Sequence, residues 1–173
     1  MQNRKILSVL LLFVLLTQLA GARQMPTDVR CFIAGGNTGA VSCGHPLAAA
    51  AALQVLQNGG NAVDAAVCAG FMLGVVDFSN SGIGGDGFAL VHRPDGRIEA
   101  WDASVKRPRF AGSSKIVNHI GLPTVPDLLM QLRRQYGSRP LAALVQPAVS
   151  MARNGFNISA YLEKIIERTL PNI

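Results

Sequence analysis

Two patterns of apolar residues follow one another in the first half of the chain. Residues 47–58 are almost all strong helix formers, and Leu47, Ala51 and Val55 recur at helical spacing on one face. This spacing predicts an amphipathic helix, which two consecutive glycines end. A short strand over residues 40–43 is predicted to precede it.

A second helix is predicted over residues 62–76. Asn61 can cap its first turn, and Asp64 stands where a carboxylate meets the free N–H groups of a helix start. The segment is apolar nearly all round and rich in alanine and glycine, which is typical of a buried helix that other backbones approach closely. We therefore expect this helix at the centre of the core.

The second half of the chain predicts a hairpin followed by helices. Residues 88–93 and 97–103 have the pattern of strands, and Pro94-Asp95-Gly96 between them suits a tight turn. The helices predicted after the hairpin are residues 127–136, residues 141–154 and a last one that Ser159 caps. This order indicates an α+β fold in which the hairpin packs on the buried helix.

A glycine-rich loop stands directly before the first strand of that hairpin. Its members are Gly82, Gly84, Gly85, Asp86 and Gly87. Glycine is needed where a backbone takes a positive φ or approaches another backbone too closely for a Cβ atom. By itself the pattern predicts a tight loop, and a phosphate-binding loop would have the same pattern.

The first 22 residues have the features of a secretory signal peptide. Arg4 and Lys5 precede an apolar run, and Ala20-Gly21-Ala22 offers a cleavage site of small residues. An uncleaved type II membrane anchor is the alternative, although the run is short for a membrane span. We therefore expect a secreted or periplasmic protein, membrane-anchored only where the segment stays uncleaved.

Composition limits the classes of protein that remain. A chain of 173 residues has room for one domain, and 49% apolar against 15% charged residues excludes a disordered protein. We divide it into a signal peptide, an N-terminal arm over residues 23–38 and one domain over residues 39–173. The net charge is +6, but only 6% of residues are aromatic, so a nucleic-acid partner is not expected.

Three cysteines, Cys31, Cys43 and Cys68, would enter an oxidising compartment. An odd number permits one disulfide and one remaining thiol. Neither a CxxC motif nor a His–Cys spacing points to a metal, so no metal and no cofactor are expected. Asn157-Ile158-Ser159 is an N-glycosylation acceptor in a eukaryotic host.

Several blocks of this sequence resemble the opening of the γ-glutamyltransferase (glutathione hydrolase) family, in the expected order and spacing. The blocks are Ser42 with His45-Pro46-Leu47-Ala48, residues 59–66, Gly74-Val75-Val76, residues 81–88, and the stretch from Tyr136-Gly137 to Phe156. A lone glycine loop would be weak evidence, whereas ordered blocks are specific. The resemblance covers roughly residues 39–165 and corresponds to the N-terminal part of the family's large subunit.

The resemblance implies an N-terminal-nucleophile hydrolase with an αββα sandwich, of which this chain would be an incomplete part. Members of the family are precursors that cut themselves in two. The new N-terminal threonine of the small subunit attacks the γ-glutamyl amide, with its own α-amino group as base. The implied partner is therefore the small-subunit segment that carries this threonine, and the implied substrates are glutathione and other γ-glutamyl compounds.

No catalytic residue is identified in this chain. Thr38, before Gly39, is the one threonine that a cleavage would expose, and a loop threonine is the simpler interpretation. We expect the domain to be truncated before the small subunit and the chain alone to be inactive. Two classes stay open: part of a secreted γ-glutamyltransferase or of an acylase for a different amide, and an inactive truncated paralogue or gene fragment.

The resemblance also nominates substrate-binding residues. Most members have an arginine two residues after the aspartate that matches Asp102, where it holds the glutamyl α-carboxylate; here that position is Ser104. In members with a GGD loop, which Asp86 matches, Lys106 falls on the arginine and keeps the charge without the two-pronged geometry. Arg107 could substitute by a small shift. The alternative for both cations is a solvated strand end.

Other residues receive structural interpretations. The resemblance points to a disulfide between Cys43 and Cys68, because animal members have one in this neighbourhood. His45 is expected to be a buried or half-buried histidine rather than a base, and Asp64 a helix cap. Asp86 is expected to form hydrogen bonds in its loop, which the resemblance makes a close-packed bend rather than a phosphate site. Sheet edges and apolar faces would be exposed without a partner.

Overall fold

Helices and antiparallel hairpins alternate along the chain. The computed structural model describes residues 32–37, 39–105 and 122–170, all within the unit Cys31–Ile173. Its elements are β1 (Phe32–Gly36), β2 (Gly39–Cys43), α1 (Pro46–Gln57), α2 (Ala62–Val76), α3 (Phe78–Ser81), β3 (Gly87–His92), β4 (Ile98–Ala103), α4 (Val125–Tyr136), α5 (Leu141–Asn154) and α6 (Ala160–Thr169). The predicted signal peptide lies outside the described residues.

The central core helix is α2, as the sequence predicts. It packs against α1, α4 and α5. Its Val67, Cys68 and Met72 are fully buried. The small residues allow close approach, because a Cβ atom on Gly70 would lie 2.8 Å from the side chain of Leu129 in α4. Burial removes the apolar surface of this helix from water, which stabilises the fold.

The helix starts follow the local capping rules. The side chain of Asn61 accepts from the N–H of Asp64 at 2.9 Å, and the Asp64 carboxylate accepts from the N–H of Asn61 at 3.0 Å. This reciprocal arrangement is a capping box. The Ser159 hydroxyl accepts from the N–H of Leu162 at the start of α6. Both predicted caps are therefore confirmed.

Strand β1 is an element that the sequence analysis did not predict. It pairs with β2 in antiparallel register, from Phe32 opposite Cys43 to Gly36 opposite Gly39. The hairpin therefore spans the predicted boundary between the N-terminal arm and the domain. Its sequence has only a short apolar run before two glycines, which is too little alternation to indicate a strand. The segment is a strand because its backbone pairs with that of β2.

The second hairpin, β3 and β4, is confirmed, but its main helical contact differs from the expected one. The strands pair from Gly87 opposite Ala103 to His92 opposite Ile98. The helix against which they pack is α4, rather than α2. One face is half-buried through alternate residues such as Trp101, and the other face is exposed. No helix in the described ranges is long and apolar enough to cross a membrane.

Candidate functional site

A cleft of about 640 Å³ opens beside the glycine-rich loop. Its apolar part comes from α2 and α4, and its polar part comes from α3 and the loop. The lining includes Leu73, Phe78, Ser79, Ser81, Asp86, Phe88, Val125 and Leu128. The cleft has the size of a small-molecule site and is open to solvent. Among the described residues that line it, Asp86 is the only charged one.

The loop itself is exposed and less tightly packed than the predicted close-packed bend. A turn is closed by the N–H of Gly85, which donates to the carbonyl of Gly82 at 3.2 Å. None of the loop glycines has a positive φ. A Cβ atom on Gly82 would lie 3.0 Å from the carbonyl of Phe78, whereas one on Gly84 would meet nothing within 4 Å. Close approach therefore requires glycine at the start of the loop and not at its centre.

Thr124 ties the loop to the end of β4. Its backbone N–H donates to the carbonyl of Gly85 at 3.2 Å, and its hydroxyl donates to the carbonyl of Ala103. The Thr124 carbonyl then accepts from the N–H of Leu128, so the same residue starts α4. Three chain segments meet at this threonine, which the sequence analysis did not single out because its partners are distant in sequence.

Ser104 is the described member of the predicted substrate-binding set. Its N–H donates to Oδ1 of Asp102 at 2.9 Å, and its hydroxyl donates to the same oxygen. The pairing of Gly87 with Ala103 places Ser104 at the same end of the hairpin as the loop. The position thus contributes a hydroxyl bound to a carboxylate, without a positive charge. Lys106 and Arg107 lie outside the described residues.

A cluster of side chains fastens the hairpin to α4. The Tyr136 hydroxyl donates to Glu99, and Nη1 of Arg93 donates to the same carboxylate at 2.9 Å. Trp101 packs edge-on against Tyr136 with ring centroids 6.0 Å apart. The hydrogen bonds from Tyr136 and Arg93 lower the pKa of Glu99. The cluster holds the turn end of the hairpin against the C-terminal end of α4.

Asp64 joins the start of α2 to the connection between α4 and α5. It is fully buried and accepts from the N–H groups of Ser138 and Arg139, and from the Ser138 hydroxyl at 2.6 Å. Burial alone would raise the pKa of Asp64, but the hydrogen bonds from Ser138, Asn61 and Arg139 outweigh it and leave the pKa below its usual value. Asp64 is therefore more than the helix cap that the sequence predicts.

The predicted disulfide between Cys43 and Cys68 is not formed, and both thiols are free. They belong to the same apolar cluster, but the Sγ of Cys43 points to the carbonyl of His45 at 3.5 Å. Cys68 is fully buried within α2, and this burial raises the pKa of its thiol to about 11. A thiol so far from ionisation is a packing residue rather than a nucleophile.

His45 caps α1, as a half-buried histidine. Its Nδ1 accepts from the N–H of Leu47 at 3.2 Å, and its ring packs edge-on against Phe156. Burial lowers the pKa of His45, and the charge of Asp77 opposes this in part. The neutral imidazole is therefore the form that the cap requires.

Other predicted residues are placed without forming a site. Asn157 is exposed between α5 and α6. Thr38 lies outside the described residues. Within the part of the chain that the structure describes, no group of three or more His, Cys, Asp or Glu side chains could hold a metal ion.

Comparison with protein families gives one match over most of the chain. A family model described as Gamma-glutamyltranspeptidase matches residues 48–173. The chain is 38% identical over 133 residues to the capsule biosynthesis protein CapD proenzyme of Bacillus anthracis, a match covering 77% of this chain and 25% of that protein. It is 34% identical over 139 residues to a glutathione hydrolase of Aspergillus flavus, covering 76% and 24%. The chain thus spans about a quarter of these relatives.

Comparison of the backbone with solved structures points to the same family. The crystal structure of Helicobacter pylori gamma-glutamyltranspeptidase superposes with a TM-score of 0.73 at 32% identity, over 80% of this chain and 44% of that chain. The likeness confirms the predicted fold class, a partial α+β representative of the N-terminal-nucleophile hydrolase sandwich.

Proposed function

Because the chain belongs to the gamma-glutamyltranspeptidase family, we propose that it is the substrate-positioning part of a secreted γ-glutamyltransferase or glutathione hydrolase. The reaction is cleavage or transfer of the γ-glutamyl group of glutathione and related amides. The nucleophile is a threonine supplied by a small-subunit segment outside this chain, so the chain alone is inactive. The word proenzyme in the name of the CapD relative supports a processed partner segment.

One observation carries this proposal. Thr124 binds both the loop carbonyl of Gly85 and the carbonyl of Ala103, the residue before Ser104. On this basis we propose that Ser104, which stands where the resemblance places the substrate carboxylate, lies near the glycine-rich loop. Lys106 and Arg107, two and three residues further along, are the proposed source of positive charge for that carboxylate, and Ser104 is proposed to contribute its hydroxyl.

The exposed face of the second hairpin supports a protein partner. Phe88, Leu90 and Ile98 are 72%, 77% and 68% exposed, and the register places them on the same face. Three large apolar side chains side by side make a surface that favours contact with another chain. We assign this face to the small-subunit segment.

Secretion is proposed from residues 1–22, with a type II anchor as the alternative. Expression with the native N-terminus in a secreting host tests it. Secretion predicts a product in the medium or periplasm that begins at Arg23. A product that stays with membranes and retains Met1 would favour the anchor.

A chimera that contains the small-subunit segment of a relative tests the proposed activity. Residues 39–173 replace the matched quarter of the Aspergillus flavus glutathione hydrolase, and turnover of a γ-glutamyl anilide is measured. The chimera is expected to process itself and to turn the substrate over, whereas this chain alone gives only background. A chimera that processes itself yet leaves the anilide intact would contradict γ-glutamyl specificity, and turnover by the chain alone would contradict the need for a partner.

A second candidate is an acylase for a different amide, which Ser104 favours because it brings no charge for a glutamyl α-carboxylate. Butyryl anilide lacks both the α-amine and the α-carboxylate of the γ-glutamyl group, so the same chimera can compare the two. Preference for the butyryl compound would support the acylase. Ser104→Arg in the chimera should then raise γ-glutamyl turnover, with Ser150→Arg on α5 as the matched control.

A further inference from the structure

We infer that Thr124 is a positioning residue, which fixes the spacing between the glycine-rich loop and the end of β4 and thereby the affinity of the proposed site for its substrate. The inference rests on the proposed function for the substrate, and on the structure alone for the coupling of the two segments. Thr124 is not assigned a catalytic role, because its bonds are made to backbone groups of this chain.

The hydroxyl of Thr124 does not serve the helix that it precedes. Thr124 stands at the N-cap of α4, where a threonine oxygen ordinarily accepts from an N–H group of the first turn. Within α4, which is described throughout, no such bond is made. The hydroxyl instead donates to the carbonyl of Ala103, 21 residues earlier in the chain. A residue type suited to capping is therefore used to hold another segment.

The bond to Ala103 also orients Ser104. The carbonyl of Ala103 and the N–H of Ser104 belong to one rigid peptide plane. Thr124 holds the carbonyl side of this plane, and Oδ1 of Asp102 accepts from the N–H side at 2.9 Å. Bonds on opposite sides of the plane oppose its rotation. The direction in which the chain leaves β4 at Ser104 therefore depends on Thr124.

The glycine-rich loop depends on the same residue. Among the described residues, the hydrogen bonds that join residues 82–86 to another segment come from Thr124, whose N–H donates to the carbonyl of Gly85 at 3.2 Å. The side chain of Asp86, which was expected to bond within the loop, makes no hydrogen bond in this part of the structure. Because glycine restricts the backbone little, the position of the loop relative to β4 depends on this tie.

Hydrogen–deuterium exchange on the purified full chain tests the coupling without a substrate. Thr124→Val keeps the branched shape but removes the hydroxyl, whereas Thr124→Ser keeps the hydroxyl. In the valine variant we expect roughly three- to tenfold faster exchange in peptides containing residues 82–87 and 98–104, as the loss of one hydrogen bond gives, with residues 141–154 unchanged. The serine variant should exchange at the parent rate.

The matched control is Thr169→Val. The hydroxyl of Thr169 donates to the carbonyl of Ile165 within α6, so this variant loses the same group and the same kind of bond at an exposed position. It should leave exchange in the loop and in β4 unchanged. Equal exchange of the Thr124→Val variant and the parent in these two segments would overturn the coupling.

The same variants in the chimera with the Aspergillus flavus hydrolase test substrate affinity. Thr124→Val should raise KM for the γ-glutamyl anilide by roughly three- to tenfold and leave kcat within about twofold, because a displaced binding group weakens ground state and transition state alike. A loss of folded protein would instead lower the apparent kcat and leave KM unchanged. Thr124→Ser should restore the parent KM, and every variant should still process itself.

The outcomes are separable from those of the proposed function. An active parent chimera whose Thr124→Val variant keeps the parent KM, or whose Thr124→Ser variant fails to restore it, would overturn this inference and leave the proposed activity standing. A parent chimera that processes itself but stays inactive would contradict the proposed activity. Exchange in the full chain would then still decide whether Thr124 couples the loop to β4.

Discussion

Ser138 donates to the carboxylate of Asp64 from both its backbone N–H and its hydroxyl, at 3.0 and 2.6 Å, across 74 residues of chain. The carboxylate also closes the capping box at Asn61, so one buried group serves a local and a distant partner. The start of α2 and the connection from α4 to α5 are held together at this point. The central helix and the two helices that cover it therefore depend on one side chain.

Asp64→Asn should destabilise the protein by about 3 kcal/mol. The amide keeps the size of the side chain but turns an N–H group toward the N–H groups of Ser138 and Arg139, which then lose their acceptor. Urea unfolding monitored by circular dichroism measures the change. Asp127→Asn is the matched control, because this exposed acid is bound only by Gln131 in the described structure, and its cost should stay within about 0.5 kcal/mol. Equal effects of the two variants would contradict the anchoring role of Asp64.

Stability should fall between pH 7.5 and pH 5 through His45. Burial lowers its pKa in the folded state below the usual 6.5, against the opposing charge of Asp77. The unfolded chain therefore binds a proton first as pH falls, so the contribution of the neutral cap is present above 6.5 and lost below it. His45→Asn keeps a cap without a titrating group and should flatten this part of the stability profile. An unchanged profile would contradict the assignment.

Gly137→Ala should cost about 2–3 kcal/mol. Its Cβ atom would lie 2.6 Å from the carbonyl of Arg133 and 2.9 Å from Oδ1 of Asp64, and neither atom can withdraw without breaking a hydrogen bond. Gly84→Ala is the matched control, since its Cβ atom meets nothing within 4 Å and its φ is not positive. That variant should be neutral or more stable by up to roughly 1 kcal/mol, because alanine restricts the unfolded chain. Thermal unfolding of both variants measures the difference.

The double substitution Leu90→Thr with Ile98→Thr should reduce the binding of a hydrophobic dye without unfolding the chain. Both side chains are largely exposed on the outer face of the hairpin, so their loss should change stability by less than about 0.5 kcal/mol. Val91→Thr, on the half-buried face, should instead cost about 1 kcal/mol. Unchanged dye binding in the double variant would show that this face is not the accessible apolar surface.

Asn157 should carry an N-linked glycan when the chain passes through a eukaryotic secretory pathway. The residue is exposed, and it stands in an acceptor motif whose serine caps α6. Treatment with a glycosidase should lower the mass of the product, and Asn157→Gln should remove that shift. Asn154→Gln, exposed but outside any acceptor motif, should keep it. A secreted product without the shift would contradict the assignment.

Features that depend on neighbours in sequence could be predicted. The capping box needs only Asn61 and Asp64, three positions apart, and the hairpin turn needs only Pro94-Asp95-Gly96, so their residue types are sufficient evidence. The helices after the hairpin followed from spacing in the same way. Strand β1 was not predicted, because its short apolar run forms a strand only through pairing with β2.

The candidate site was predicted only in part, because its contacts span long stretches of chain. The glycine loop and Ser104 were nominated, but Thr124, which joins them, has no local signal. The free thiols of Cys43 and Cys68 show the same limit, since sequence gives the number of cysteines and not the direction of their side chains.

The sequence by itself determined the family, the order of elements and the caps, because these depend on residue type and short-range spacing. The tertiary structure alone decided that Asp64 binds Ser138, that Ser104 is turned to Asp102, and that Asp86 faces an open cleft without a partner among the described residues. The reason is physical: local backbone preferences act within a few residues, whereas the environment of a charged side chain depends on which distant segments packing brings to it.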